Sequence, residues 1–305
     1  MTDPLRIWDT HVHFPFDWRN PDSDPAPRVE KLVQVMAEHH IVRASVLSGG
    51  RFGPDHDTAL RHLLPHDTLV PVAVIDPETT TTDEIQRLHD IGYRGGKLIG
   101  PPRPYDHETY LPLYEQAERL HWPVVFHMGV IGGAVDYSRT HPSRDHEAAQ
   151  RHDYWRERMR ERGPRHTSAA YMLPFHLETI ANRCPDLWII GAHLGNQGYY
   201  QDAASVARWR PRVLFDLSGG ETIEQHAEQG GYVGQEIGVE KLTFGSDCGV
   251  EEIPEHVDRF HAMFDRLHLS PRDRDRIWYR NAAEAFGEIE AETPGQTQTS
   301  PATPK

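Results

Sequence analysis

Short apolar runs bounded by turn residues alternate with helix-patterned segments along the chain, and no glycine-rich dinucleotide turn follows the first run. Together these observations predict an α/β fold, a closed parallel (β/α)8 TIM barrel with an inserted cap after strand five. A doubly wound open sheet is the competing architecture. It would place a glycine-rich turn where this chain carries His11 and His13.

The predicted strands are residues 6–11, 44–48, 69–75, 93–99, 123–127, 187–193, 213–217 and 242–247. Helical periodicity marks 29–40, 57–64, 82–91, 108–121, 169–182, 201–209, 222–237 and a final pair, 254–267 and 271–286. The longest interruption, 129–168, follows strand five on the face where barrel loops shape a substrate pocket, and it reads as the cap. The barrel with its cap accounts for residues 1–290. The stretch 291–305, made of Thr, Pro, Gln and Ser without apolar pattern, reads as a disordered tail.

Composition narrows the function classes. A formal charge of −14 opposes nucleic acid or an anionic membrane as the main partner, because phosphate binding needs clustered Lys and Arg. A small-molecule substrate is expected instead. The exception is local: Arg139, Arg144, Arg151, Arg156, Arg158, Arg160, Arg162 and Arg165 lie in or beside the cap, as a solvated ion-paired helix or as an anion-binding lid. No apolar run is long enough for a membrane span and no basic-then-apolar leader precedes Leu5, so a cytoplasmic location is expected. The two cysteines, Cys184 and Cys248, form neither a disulfide framework nor a cysteine zinc site. Any metal must therefore be held by histidine and carboxylate.

Such residues break the apolar runs at the predicted strand ends. His11 and His13 stand one residue apart on strand one, and the two-residue period of a strand aims both to one face. His127 closes strand five in Val-Val-Phe-His-Met-Gly, His193 closes strand six in Ile-Ile-Gly-Ala-His-Leu-Gly, and Asp247 closes strand eight in Thr-Phe-Gly-Ser-Asp-Cys-Gly. In a barrel all five converge on one mouth, as a metal site requires. Imidazoles with a carboxylate suit zinc, iron or manganese and leave positions open for water and substrate. Lys97 ends strand four, and Arg51, after strand two, stands at the right mouth to clamp a substrate carboxylate, with Arg139 a second candidate.

The ordered set Asp9-Thr10-His11-Val12-His13, Gly95-Gly96-Lys97-Leu98, Phe126-His127-Met128-Gly129, Ala192-His193-Leu194-Gly195 and Phe244-Gly245-Ser246-Asp247, with the closing helix 277–287, resembles a known family. It is that of the amidohydrolase-related metal-dependent hydrolases, which include aminocarboxymuconate semialdehyde decarboxylase. The resemblance implies that His11, His13, His127 and Asp247 ligate a divalent metal, zinc first, with iron or manganese as alternatives. It implies His193 as the catalytic group beside that ion, with Asp247 sharing the role. Some binuclear relatives carry a carboxylated bridging lysine at the place of Lys97; a substrate-facing lysine is the other reading. Relatives often dimerise, so a homodimer is one expected assembly.

The implied activity is hydrolysis of a small carboxylated or acyl metabolite, an amide, ester, lactone or thioester, through metal-activated water. Non-oxidative decarboxylation on the same site is one alternative. Non-haem di-iron oxygenation of a coenzyme A-linked substrate is another, for which Lys97, Asp76, Asp216 and His176 are spare donors. Asn196 stands where relatives often have glycine, and Cys248-Gly249 where an aromatic residue and proline are common, so substrate preference is expected to differ.

Overall fold

The computed structural model describes residues 5–17, 20, 23–50, 53–131, 157 and 166–290. Its strands are β1 (Ile7–His13), β2 (Ile41–Ser48), β3 (Leu69–Val74), β4 (Gly96–Leu98), β5 (Val124–Phe126), β6 (Ile189–Gly191), β7 (Val213–Asp216) and β8 (Leu242–Thr243). They form one eight-stranded sheet in sequence order, each parallel to the next. The ends of the sheet meet: the Thr10 amide donates to the Phe244 carbonyl at 3.0 Å, and the Asp247 amide donates to the His11 carbonyl at 2.8 Å. The fold is the (β/α)8 barrel that the alternating pattern predicts.

Helices α1 (Ala26–Glu38), α2 (His56–Leu63), α3 (Thr82–Ile91), α4 (Leu111–Arg119), α5 (Pro174–Arg183), α6 (Tyr200–Trp209), α7 (Glu221–Gln229) and α8 (Ile253–Arg266) lie between and after the strands. Each buries one stripe, as α1 does with Val29, Leu32, Val35 and Met36 at helical spacing. Side-chain caps set several starts: Asp55 accepts the Thr58 amide ahead of α2, and Thr81 accepts the Glu84 amide ahead of α3. The chain closes with α9 (Pro271–Asp275), one π-helical turn over Arg276–Arg280, and α10 (Asn281–Ala285).

Boundaries depart from the sequence pattern for identifiable reasons. Strand β2 starts at Ile41 rather than 44, because Arg43 stays in the strand and reaches Glu288 at 2.6 Å. The expected helix 222–237 ends at Gln229, where Gly230 and a left-handed Gly231 (φ 69°) turn the chain. The expected strand 242–247 pairs with β7 only over its first two residues and then leans onto β1.

The N-terminal end of the barrel is filled by Phe286, which packs against three separate groups of buried side chains and stacks on Trp8 at 5.1 Å. Trp8 in turn donates its indole N–H to Ser45 Oγ at 2.9 Å. The opposite end carries the polar strand termini. No helix among the described residues is long and apolar enough to cross a membrane. Most of the expected cap 129–168, all of the tail 291–305, and both Arg51 and Arg139 lie outside the described residues.

Candidate metal centre

At the end of β1 the side chains of His11 and His13 share a face, their rings 5.5 Å apart. A register irregularity against β2, between Asp9 and Val12, re-aims the strand at this point. Asp247 arrives from the other side of the closing seam. Its backbone is left-handed (φ 46°), a conformation that Asp tolerates better than most residues, and its amide is tied to the His11 carbonyl. This places Asp247 Oδ1 at 3.0 Å from His13 Nε2 and 3.6 Å from His11 Nε2.

The three donor atoms lie within 4.8 Å of one another. Donors held about 2.0–2.2 Å from a common ion sit roughly 3.3 Å apart in a tetrahedral arrangement. The observed 3.0 and 3.6 Å bracket that spacing, and two imidazoles with one carboxylate are a donor set for a divalent cation. His11, His13 and Asp247 therefore fit the expected metal.

His193 lies in a strained turn directly after β6: both it (φ 60°, ψ 33°) and Leu194 (φ 52°, ψ 34°) are left-handed. Left-handed backbone at non-glycine residues costs energy and is concentrated at functional positions. The turn is held by Asp216, whose Oδ1 accepts the His193 amide at 2.9 Å. His193 Nδ1 is 2.9 Å from Ser218 Oγ and 3.8 Å from Asp247 Oδ2, while its Nε2 is 3.1 Å from His127 Nδ1.

The structure joins His127 to the cluster through His193 and does not group it directly with His11, His13 and Asp247. Its Nε2 lies 3.3 Å from the Val130 carbonyl. Asn196 donates to the Met128 and Val130 carbonyls at 2.8 and 3.2 Å. It therefore ties the loop after β6 to the backbone that carries His127. Lys97 is buried on β4 with Nζ 3.4 Å from His11 Nε2, facing the same space as the cluster.

Of the other spare donors, only Asp216 is at the site. Asp76 is exposed and accepts the Glu78 amide within its own turn at 3.0 Å, and His176 is engaged by Asp106 at 2.8 Å and the Ala170 carbonyl at 2.9 Å. Two further buried groups escaped the sequence reading. Asp9 accepts the His11 and Ser246 amides at 3.1 and 2.9 Å, stitching together the segments that carry His11 and Asp247. Ser218 bridges Asp216 and His193. Asp9 does interrupt the apolar run of strand one, a usable signal; a serine after a strand carries none.

Burial dominates the electrostatics. It lowers the pKa of His13, sends that of His127 well below the usual imidazole range, and takes His193 to about 4. It also brings the Lys97 amine down to about 8, against the opposing pull of Asp216 and Asp247. Burial alone would raise Asp216 and Asp247. The adjacent histidines outweigh it and hold both carboxyls below their ordinary range. Cys248 is kept a neutral thiol by burial, which pushes its pKa far up.

A family profile described as amidohydrolase matches residues 8–287. No curated protein sequence matches. Solved structures share the fold at low identity. One, described as a probable 2-pyrone-4,6-dicarboxylic acid hydrolase from Acinetobacter baumannii with citric acid bound, is 16% identical with a TM-score of 0.60, covering 93% of this chain and 100% of its own. A 5-carboxyvanillate decarboxylase from Sphingomonas paucimobilis is 14% identical with a TM-score of 0.58, covering 93% and 99%. A dihydroxybenzoic acid decarboxylase from a Polaromonas species, with bound manganese and 2-nitroresorcinol, is 17% identical with a TM-score of 0.56, covering 93% and 97%.

Proposed function

The chain belongs to the amidohydrolase family, and from that premise we propose that it is a metal-dependent hydrolase of a small carboxylated or acyl metabolite. The observation that carries this reading is the meeting of His11 Nε2, His13 Nε2 and Asp247 Oδ1 at the C-terminal mouth of the barrel, with His193 beside them. These three side chains would hold the cation, with His127, one imidazole further on, as the fourth donor. Zinc is the first candidate. Manganese in a structural relative supports a site that accepts more than one divalent ion.

When bound, the cation supplies Lewis acidity toward a carbonyl or carboxylate and acidifies water. The remaining tasks fall to the chain. His193 is neutral at physiological pH because burial holds it at about 4. With Nδ1 engaged by Ser218, Nε2, which lies 3.1 Å from His127 Nδ1, is the atom left to take up a proton. Lys97, whose amine enters the same space, is assigned to the substrate carboxylate. The relatives are named for carboxylic acids, which supports that substrate class.

Non-oxidative decarboxylation is the second reading, favoured by the decarboxylase names of two of those relatives. The di-iron reading loses support because Asp76 and His176 lie away from the cluster.

The test is to strip the protein with a chelator, reload it with zinc or manganese, and assay lactones, esters, amides, thioesters and aromatic acids in 18O-labelled water. Hydrolysis predicts activity that depends on the reloaded ion and label in the product. Carbon dioxide released with no label in the organic product would select decarboxylation, and full activity of the stripped protein would overturn both.

A further inference from the structure

We infer that Asp216 is a positioning residue that sets the ring orientation and tautomer of both His11 and His193, reaching His193 through the Ser218 hydroxyl. The consequence for a cation rests on the metal reading above. The hydrogen-bond assignment does not.

Asp216 ends β7, is fully buried, and serves two strands with its two oxygens. Oδ2 is 2.8 Å from His11 Nδ1. Oδ1 accepts the amides of His193 and Ser218 at 2.9 and 3.1 Å and the Ser218 hydroxyl at 2.5 Å. An ionised carboxylate can only accept, so His11 must carry its proton on Nδ1 and present a bare Nε2 toward Asp247. That bare nitrogen is the one a cation needs. The Ser218 hydroxyl spends its proton on Asp216, so its oxygen accepts from His193 Nδ1 at 2.9 Å. His193 is thereby also a Nδ1–H tautomer, with Nε2 left as the acceptor toward His127 Nδ1 at 3.1 Å.

His11, His193 and Asp216 offer donor atoms close enough for a second ion. The Ser218 oxygen already occupies that position, 3.3 Å from His11 Nδ1, 2.9 Å from His193 Nδ1 and 2.5 Å from Asp216 Oδ1. This group is therefore a fastening for two rings.

Asp216→Asn keeps the shape and removes one acceptor. The two backbone amides have a fixed direction and demand the amide oxygen on their side. The new NH2 must then face His11 Nδ1, which becomes an acceptor and moves its proton to Nε2, capping the nitrogen that faces the cluster.

The experiment uses the full chain, metal-free, with long-range 1H–15N spectra of the histidine rings, followed by titration with cobalt(II). Wild type should show His11 as Nδ1–H. Asp216→Asn should show Nε2–H and bind cobalt(II) about 10- to 100-fold more weakly. Ser218→Ala should keep the His11 tautomer and a cobalt(II) affinity within roughly threefold, while His193 loses its single Nδ1–H form. The inference is overturned if Asp216→Asn keeps Nδ1–H on His11. Should that variant fail to fold, an unchanged His193 tautomer in Ser218→Ala overturns it as well. Wild type that binds cobalt(II) no better than His13→Ala would sink the metal reading alone, with the tautomer result still deciding the role of Asp216.

Discussion

The amide of Asp247 donates a 2.8 Å hydrogen bond to the carbonyl of His11, so the first strand and the segment after the last deliver the clustered side chains of His11, His13 and Asp247 from one shared backbone contact. Gly245 makes that approach possible. A Cβ there would stand 2.9 Å from His11 Cβ, 3.3 Å from Ser218 Cβ and 3.4 Å from Asp216 Cβ. Gly245→Ala is expected to destabilise the fold by about 1–3 kcal/mol, as overpacking does, and to lower metal retention by displacing His11. Thermal melts and elemental analysis read the two effects. A variant that melts and retains metal as wild type does would show that the seam has slack.

Ligands and neighbours should separate by ion retention. His13→Ala and Asp247→Ala each remove a donor from a three-atom core, so purified protein should lose its ion together with its activity. His193→Ala should keep the ion and lose rate. His127→Ala should weaken retention by about 10- to 100-fold, since the three-donor core survives it. Metal content per chain decides the matter, and loss of the ion from His193→Ala as readily as from His13→Ala would reverse the roles assigned here.

The buried histidines should make stability depend on pH in a defined window. In the unfolded chain these imidazoles take up a proton near 6.5, whereas burial keeps His193 neutral to about 4 and lowers His13 and His127 as well. Between those values the unfolded state binds more protons, so stability rises with pH there and falls on acidification. Asp216 and Asp247 have lowered pKa values. Their contribution is present above the ordinary carboxylate range and lost only below it, outside this window. The Tm of metal-free protein should therefore drop as pH is taken from 7 toward 5, and a flat profile there would contradict the buried neutral histidines.

Phe286 offers the opposite dissection. It fills the far end of the barrel, stacked on Trp8, and Phe286→Ala should cost about 3 kcal/mol as a large-to-small change. Metal content of the folded fraction should be unchanged. Loss of the ion in that fraction would mean that the two ends of the barrel are coupled.

Strand alternation and the polar breaks at strand ends are local properties, and they suffice to place His11, His13, His127, His193, Lys97 and Asp247 at one mouth. Boundaries are less readable: the expected strand 44–48 omits Ile41–Arg43, and the partner that holds Arg43 in the strand, Glu288, is 245 residues away.

What the sequence determined by itself is the eightfold strand–helix repeat and the set of rings and carboxylates at its C-terminal mouth, because side-chain periodicity is written within a few residues. Only the tertiary structure decided how those groups are fastened. It grouped His127 with His193, left Asp76 and His176 elsewhere, and made Asp216 and Ser218 the anchors of two imidazoles. The physical reason is sequence separation. His11 and Asp216 lie 205 residues apart, and nothing local tells a buried aspartate which ring it will meet until the barrel closes.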